Sequence, residues 1–314
     1  MNQDGVAIPS SLNYFPFVKS FSLWKWTALL LAVVFSIPVL TIIYSLFVPN
    51  AELWQHLFSS LLNRYVVNSL ILMIGVGIIT VILGVSSSWL VTMCQFPGSK
   101  LFRFLLLLPM AIPAYIIAYT YTGIFDVTGP FQSWIRVSFD LTYGEYWFPE
   151  IRSLTGAIFV MSLVLYPYIY LLTRAALMEQ SICVLEVSRT LGCGPYKMFC
   201  SVAIPLVRPA IMVGLSLVLM ETLADYGTVQ YFGVVTFTTG IFRTWFGLDN
   251  SIGAAQLSAV LLSFIVVLIY LEQRSRKRAK YYHTSSKYSP IIPFKLTGIK
   301  SMFASGFCTL IMLL

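Results

Sequence analysis

The sequence has little charge: Asp, Glu, Lys and Arg make up only 10% of its 314 residues, against 58% hydrophobic residues. A water-soluble domain carries roughly 25% charged residues, so this composition excludes a soluble enzyme and makes lipid the natural solvent of the chain. Histidine is scarce as well. His56 and His283 are far apart, so no histidine metal site is expected and both read as ordinary surface residues. Cys94, Cys183, Cys193 and Cys200 lie in or beside segments assigned below to the cytoplasmic side, without paired metal-ligand spacing. They read as reduced, small apolar residues with no disulfide. The patterns GxxxxGK[ST], HExxH and GxSxG with suitable partners are missing, so any energy input must come from another subunit. The first 25 residues hold no compact apolar stretch followed by a small-residue cleavage site, and the first spanning helix is expected to direct insertion itself.

What the chain does have is long apolar blocks. They run from Trp26 to Val48, Val66 to Met93, Leu101 to Phe125, Leu154 to Leu172, Ile204 to Leu223 and Ile252 to Leu271. Several reach the roughly 20 residues that cross about 30 Å of hydrocarbon. Backbone groups in lipid must pair within their own segment, which selects helices, and blocks apolar on every face are unlike the alternating strands of a membrane barrel. The expected fold is therefore all-α and integral to the membrane, with six transmembrane helices. With the N-terminus in the cytoplasm, the outer connections hold only Arg64, Arg136, Arg152 and Arg243 of the 20 Lys and Arg. Most of the loop acids (Glu52, Asp126, Asp140, Glu145, Glu150, Asp249) lie there too. That bias orients both termini inside. The net charge of +8 then reads as orientation rather than as the footprint of a nucleic acid.

The blocks divide the chain into a cytoplasmic segment 1–25, a six-helix domain 26–271, a basic linker 272–300 and a last apolar stretch 301–314. Glu272 to Lys280 is a juxtamembrane basic run suited to the acidic lipids of the inner leaflet. Met302 to Leu314 is too short to span and reads as an incomplete seventh span. Pro109 and Pro113 each remove a backbone donor from the third block, so that helix is expected to kink and to face protein, where neighbours can satisfy the freed carbonyls. The connection from Asp126 to Arg152 is rich in Trp and Tyr (Trp134, Tyr143, Tyr146, Trp147). Such a segment belongs at the headgroup level, with room for an interfacial helix.

The inner connection from Arg174 to Pro209 carries the most information. Leu185 to Ile211 reads LEVSRTLGCGPYKMFCSVAIPLVRPAI. Glu186 to Leu191 suits a helix, Gly192, Gly194 and Pro195 interrupt it, and Tyr196 to Val202 is amphipathic before Pro205 opens the next span. This predicts helix, sharp turn, helix: glycine permits a left-handed backbone, and proline pre-sets the first position of the following helix. An amphipathic helix on such a loop can lay its apolar face in a partner's groove. At these residues the chain resembles the permease subunits of binding-protein-dependent ABC importers, whose cytoplasmic motif runs Glu-Ala-Ala, three residues, Gly, about nine residues, then Ile or Leu near a Pro. Glu186, Val187 and Ser188 hold the first three positions, Gly192 the glycine, and Ile204 with Pro205 the end. The two alanines are replaced by Val187 and Ser188. The resemblance implies a permease in the cell inner membrane whose loop docks on a cytoplasmic ABC ATPase dimer. It also implies a periplasmic solute-binding protein, a second permease half or copy, and no cofactor bound by this chain, since the partner consumes the ATP.

A second stretch, METLADYGTVQYFGVVTFTTGIFRTWFGL from Met220, looks like the fifth-span end and outer loop of ferric-iron importer permeases. That resemblance spans about residues 20–271 and implies ferric iron as cargo. The full proteins of that group carry two six-span halves in one chain, so this chain reads as a first half: a truncation, a split gene, or a half that dimerises. Thiamine, a polyamine or an inorganic anion would keep the class. An ion-driven secondary transporter, with its charges at broken midplane helices, is the reading from a different class. Glu221 and Asp225 lie one helical turn apart, which puts both carboxylates on one face. An ionisable residue at membrane depth costs about 2.5–3.5 kcal/mol on insertion scales, so Glu221 is expected on the translocation path. Asp225 either joins it or, in the headgroup region, caps the turn ahead of Gly227. Two carboxylates are too few for a closed ferric site, and no resident metal is expected.

Overall fold

The computed structural model describes residues 23–179, 188, 190–277 and 293–314. It begins with α1 (Leu23–Ser45). Next, α2 (Ala51–His56), a π-helical turn at Leu57–Leu61 and α3 (Leu62–Met93) run on as one long helix. The two-residue strand β1 (Cys94–Gln95) leads to α4 (Ser99–Leu105), a 3-10 turn at Leu108–Ala111, α5 (Ala114–Phe125), α6 (Pro130–Phe139) and α7 (Leu154–Glu179). After α8 (Pro195–Met198) come a π-helical turn at Phe199–Ala203, α9 (Ile204–Ala224), α10 (Gly227–Tyr231) and α11 (Phe237–Phe242). The chain closes with a π-helical turn at Arg243–Gly247, α12 (Ser251–Lys277), strand β2 (Phe294–Lys295) and α13 (Ile299–Leu313). Among the described residues five helices are long and apolar enough to cross a membrane, and six if the bent pair Ser99–Ala111 and Ala114–Phe139 counts as one span.

The centre of the molecule is the packing of α7 between α3 and α9. Ile169 of α7 is fully buried. A Cβ at Gly84 of α3 would stand 2.8 Å from the Ile169 side chain and 3.0 Å from the Tyr166 carbonyl, and a Cβ at Gly214 of α9 would stand 3.0 Å from the Ile169 Cα. Lipid tails are as apolar as Ile, so helices in a membrane associate through close packing rather than through hydrophobic exclusion, and small residues are what permit it. Two glycines therefore clasp one isoleucine from opposite sides.

The third apolar block, expected as one kinked span over Leu101 to Phe125, is broken within that range. The chain turns there by 95° at the break between Ala111 and Ala114. Pro109 and Pro113 offer no N–H, and Ile112, which precedes Pro113, is extended at φ −115° and ψ 128°, as steric conflict with the proline ring requires. The helix stops instead of bending. The carbonyls that α4 leaves open as it ends are met by α7: the Tyr166 hydroxyl donates to the Leu106 carbonyl at 2.8 Å and the Tyr170 hydroxyl to the Arg103 carbonyl at 3.1 Å. Broken backbone is tolerated in such a bundle where a neighbour supplies the missing donor.

At the periphery α1 lies against α12 and is otherwise exposed. One buried amide fastens it. Gln256 of α12, 3% exposed, donates from Nε2 to the Ser45 and Val48 carbonyls, and its Oε1 accepts from Trp54 Nε1 at 2.7 Å. The last apolar stretch, read from the sequence as an incomplete span, is helix α13 packed on the bundle, with Ala304, Cys308 and Ile311 buried. β2 pairs in parallel with β1, the Leu296 N–H donates to the Gln95 carbonyl, and the Ser305 hydroxyl donates to the Pro97 carbonyl.

Replacing Tyr166 by Phe removes the donor to the buried Leu106 carbonyl and should cost about 1–3 kcal/mol. Thermal unfolding in detergent, followed by tryptophan fluorescence, checks it. An unchanged midpoint would show that the bend does not need that hydroxyl.

Candidate functional site

Two places gather the residues singled out in the sequence. The first is the turn ahead of α8. Glu186 and Val187 lie outside the described residues. Ser188 is buried, and its carbonyl accepts the Cys193 N–H at 3.0 Å, with Gly192 between them at φ +77°. A left-handed residue followed by an N–H that reaches back five positions closes a helix in the Schellman manner. Any Cβ at 192 is strained in that backbone, whatever the room around it. The Gly194 carbonyl then accepts the Met198 N–H at 2.9 Å, and Pro195 opens α8, the position where its missing N–H costs nothing.

The segment after the turn is anchored on one side and free on the other. Met198 is fully buried, Ala203 nearly so, and the Phe199 ring packs 5.1 Å from Trp89 at the end of α3. Ile204 packs on the core and Pro205 sits in the first turn of α9. Leu191 and Tyr196, by contrast, are 78% and 80% exposed. Two large side chains thus stand out from a tightly held turn, although the sequence motif names neither.

The second place is the far end of α9. The Glu221 side chain is exposed. Asp225 is half-buried and committed to structure: its carboxylate accepts from the Thr228 N–H and hydroxyl, both at 3.0 Å, and from the Val229 N–H at 3.1 Å. It caps α10. Its own carbonyl accepts the Thr238 hydroxyl at 2.8 Å. These are the hydrogen bonds that the capping alternative for Asp225 calls for. Among the described residues no three His, Cys, Asp or Glu side chains come together.

Beyond Asp225 the chain folds back over α3. Asn68 donates to the Val235 carbonyl, Thr236 and Thr239 form a capping box at α11, and the Tyr226 and Phe242 rings stack 3.7 Å apart. These walls bound an open groove of about 490 Å³, with Tyr65, Gln230 and Arg243 on its lining. In the sequence Arg243 is one of four outer-side arginines; its flanks of Phe242, Trp245 and Phe246, rather than acids, are the available signal. A second hollow, of about 370 Å³, lies in the Trp- and Tyr-rich connection around α6. There Arg136 holds the Tyr146 hydroxyl, Tyr146 holds the buried Gln132, and Asp126 pairs with Arg152 at 3.4 Å. The Arg152 guanidinium also lies over the Tyr231 ring at 5.3 Å. Nearby, the Thr142 N–H donates to Glu145 and holds that carboxyl below the usual range.

Residues 81–280 match the family described as binding-protein-dependent transport system inner membrane component. The chain is 27% identical over 259 residues to an Fe(3+)-transport system permease protein, FbpB 2, of Haemophilus influenzae, covering 82% of this chain and 47% of that protein. It thus spans about half the length of that relative. It is 26% identical to the molybdenum transport system permease protein ModB of Escherichia coli over 62% of this chain and 87% of that one. To the sulfate transport system permease protein CysT of Escherichia coli it is 27% identical over 48% and 51%. Among solved structures, a bacterial alginate ABC transporter in complex with an alginate-pentasaccharide-bound periplasmic protein aligns with a TM-score of 0.65 at 16% identity, covering 81% of this chain and 94% of that chain. The inward-facing MetNI methionine ABC transporter aligns with a TM-score of 0.53 at 17% identity over 73% and 98%. At such identities the likeness concerns the fold alone. The family match extends over more than half of a chain already seen to be a bundle of apolar helices, and so this protein belongs to the binding-protein-dependent transport permeases, as a multi-pass component of the inner membrane.

Proposed function

We propose that this chain is the first half of the membrane permease of an ATP-driven ferric-iron importer. In this reading both ends face the cytoplasm, the bent pair counts as one of six spans, and a cytoplasmic ATPase dimer docks on the glycine turn. A periplasmic binding protein delivers the cargo, and a second half or copy closes the path. The observation that carries it is the turn itself. Leu191 and Tyr196 stand exposed on a segment whose Met198 and Phe199 are locked against the bundle. A partner gripping the exposed pair would pull on the buried anchors, and the close packing of α3, α7 and α9 would carry that pull as one body. Coupling of this kind is reciprocal, so cargo delivery and ATP should each bias the other's binding.

Ferric iron is supported by the Haemophilus relative, which aligns over 82% of this chain. An inorganic oxyanion is the second reading, supported by the molybdenum and sulfate relatives. Transport needs no covalent chemistry from this chain; ATP is consumed by the partner. Glu221, exposed on α9, is kept as a path residue, whereas Asp225 serves α10 as a cap.

Single cysteines replacing Leu191 or Tyr196 should crosslink to the ATPase subunit in intact cells. Normal insertion with no such product would remove the docking assignment. Gly192→Ala puts a Cβ in the left-handed region at about 1–2 kcal/mol and should depress ATP-driven uptake, while Gly192→Asn, which tolerates that region, should retain more of it. Equal uptake in both would take the turn out of the coupling path. In the same assay Glu221→Gln should lower uptake at normal expression, and an unchanged rate would strip Glu221 of its role.

A further inference from the structure

We infer that the groove beside Arg243 is an anion subsite of the transport path, taking a small oxygen-rich solute of net negative charge: an anionic ferric chelate or a bare oxyanion. The inference rests on the permease reading and adds the charge class of what passes.

The lining carries the argument. Tyr65, Tyr226, Gln230 and Arg243 border the groove, and no Asp or Glu is among its described lining residues. The Arg243 guanidinium makes no hydrogen bond or ion pair among the described residues, unlike Arg136 and Arg152 on the α6 connection, which are both engaged. Tyr65 is 2% exposed, yet its hydroxyl finds no protein partner among the described residues. It shares the groove's lining with Arg243. The Gln230 amide and the Tyr226 hydroxyl are likewise without partners there, while Tyr226 is held in place by its stack on Phe242. Natural sites of about 300–1,000 Å³ take small molecules, and this one measures about 490 Å³.

Four donor-bearing side chains on one lining, one of them a planar cation, match the acceptors of an oxyanion or a carboxylate-clad complex. The nearby acids do not compensate: the Asp225 carboxylate is used up on Thr228 and Val229, and Glu221 and Asp249 are not on the wall. A bare trivalent cation would meet Arg243 and no carboxylate. Iron would pass here only in a complex whose ligands outweigh its charge.

The test measures ATP-dependent uptake into cells expressing the complete transporter, with radiolabelled ferric citrate and radiolabelled molybdate as separate probes. Whichever probe the unaltered protein imports identifies the source of the anion. Its uptake should fall at least about tenfold in Arg243→Gln and Arg243→Glu, since a lost charged hydrogen bond is worth that or more. Arg243→Lys should restore part of it, and Arg64→Gln, an exposed arginine outside the groove, should leave it intact. If Arg243→Gln inserts poorly, Gln230→Leu, at an exposed amide, provides the second variant and should lose uptake severalfold. Uptake at the original rate in Arg243→Gln or Gln230→Leu, or faster iron uptake in Arg243→Glu, would overturn the inference while leaving the permease reading standing. No ATP-dependent uptake of either probe by the unaltered transporter would overturn both the inference and the ferric-iron reading.

Discussion

The structure depends on one close contact, the burial of Ile169 between Gly84 and Gly214. Closely packed interiors resist continuous deformation and tend to move as blocks. Because no side chain separates α7 from α3 or α9 at this point, the three helices form a single wedge. Both proposed sites are attached to it: the π-helical turn of the segment proposed to dock the ATPase rests on Trp89 at one end of α3, and the groove closes over Tyr65 nearer the other.

The bend after α4 follows from the same wedge. The end of α4 leaves the Arg103 and Leu106 carbonyls open in an apolar setting, since the Leu107 and Met110 N–H groups donate elsewhere, and each open carbonyl costs several kcal/mol in lipid. Tyr166 and Tyr170, one turn apart on the α7 face that carries Ile169, supply donors to both of them. The helix that clasps the core is thus also the one that makes the break tolerable. At the other side of the bundle Gln256 does comparable service for α1, satisfying carbonyls at its end with a single buried amide.

Much of this was legible in the sequence. Long apolar blocks announced the helices because no soluble fold needs them, and the prolines of the third block announced a break in its helix. The glycine turn was legible because only glycine suits a left-handed residue next to a proline-opened helix, and the structure puts Gly192 at φ +77°. What could not be read was anything set by distant pairs. Tyr166 and Leu106 are sixty residues apart, and nothing local in either says that they bond. Asp225 is a local case: the capping alternative was open in the sequence, and its carboxylate does accept from Thr228 and Val229. Arg243 looked like one more outer charge until the chain from Tyr226 to Phe246 was seen to fold around it. The α13 segment, judged by its length alone, gave no sign of pairing its leading strand with Cys94 and Gln95.

The turn and the groove ride on one wedge of α3, α7 and α9 that moves as a body. The most direct measurement is a pulsed electron-spin distance between labels at Tyr196 and Phe246, both exposed, in the complete transporter without nucleotide and with ATP trapped. The distance within this chain should stay constant within about 2 Å, the scale of ordinary helix shifts, while the distance from the Tyr196 label to a label on the opposite permease half changes. A shift within the chain of many ångströms, with the two halves fixed relative to each other, would contradict the claim.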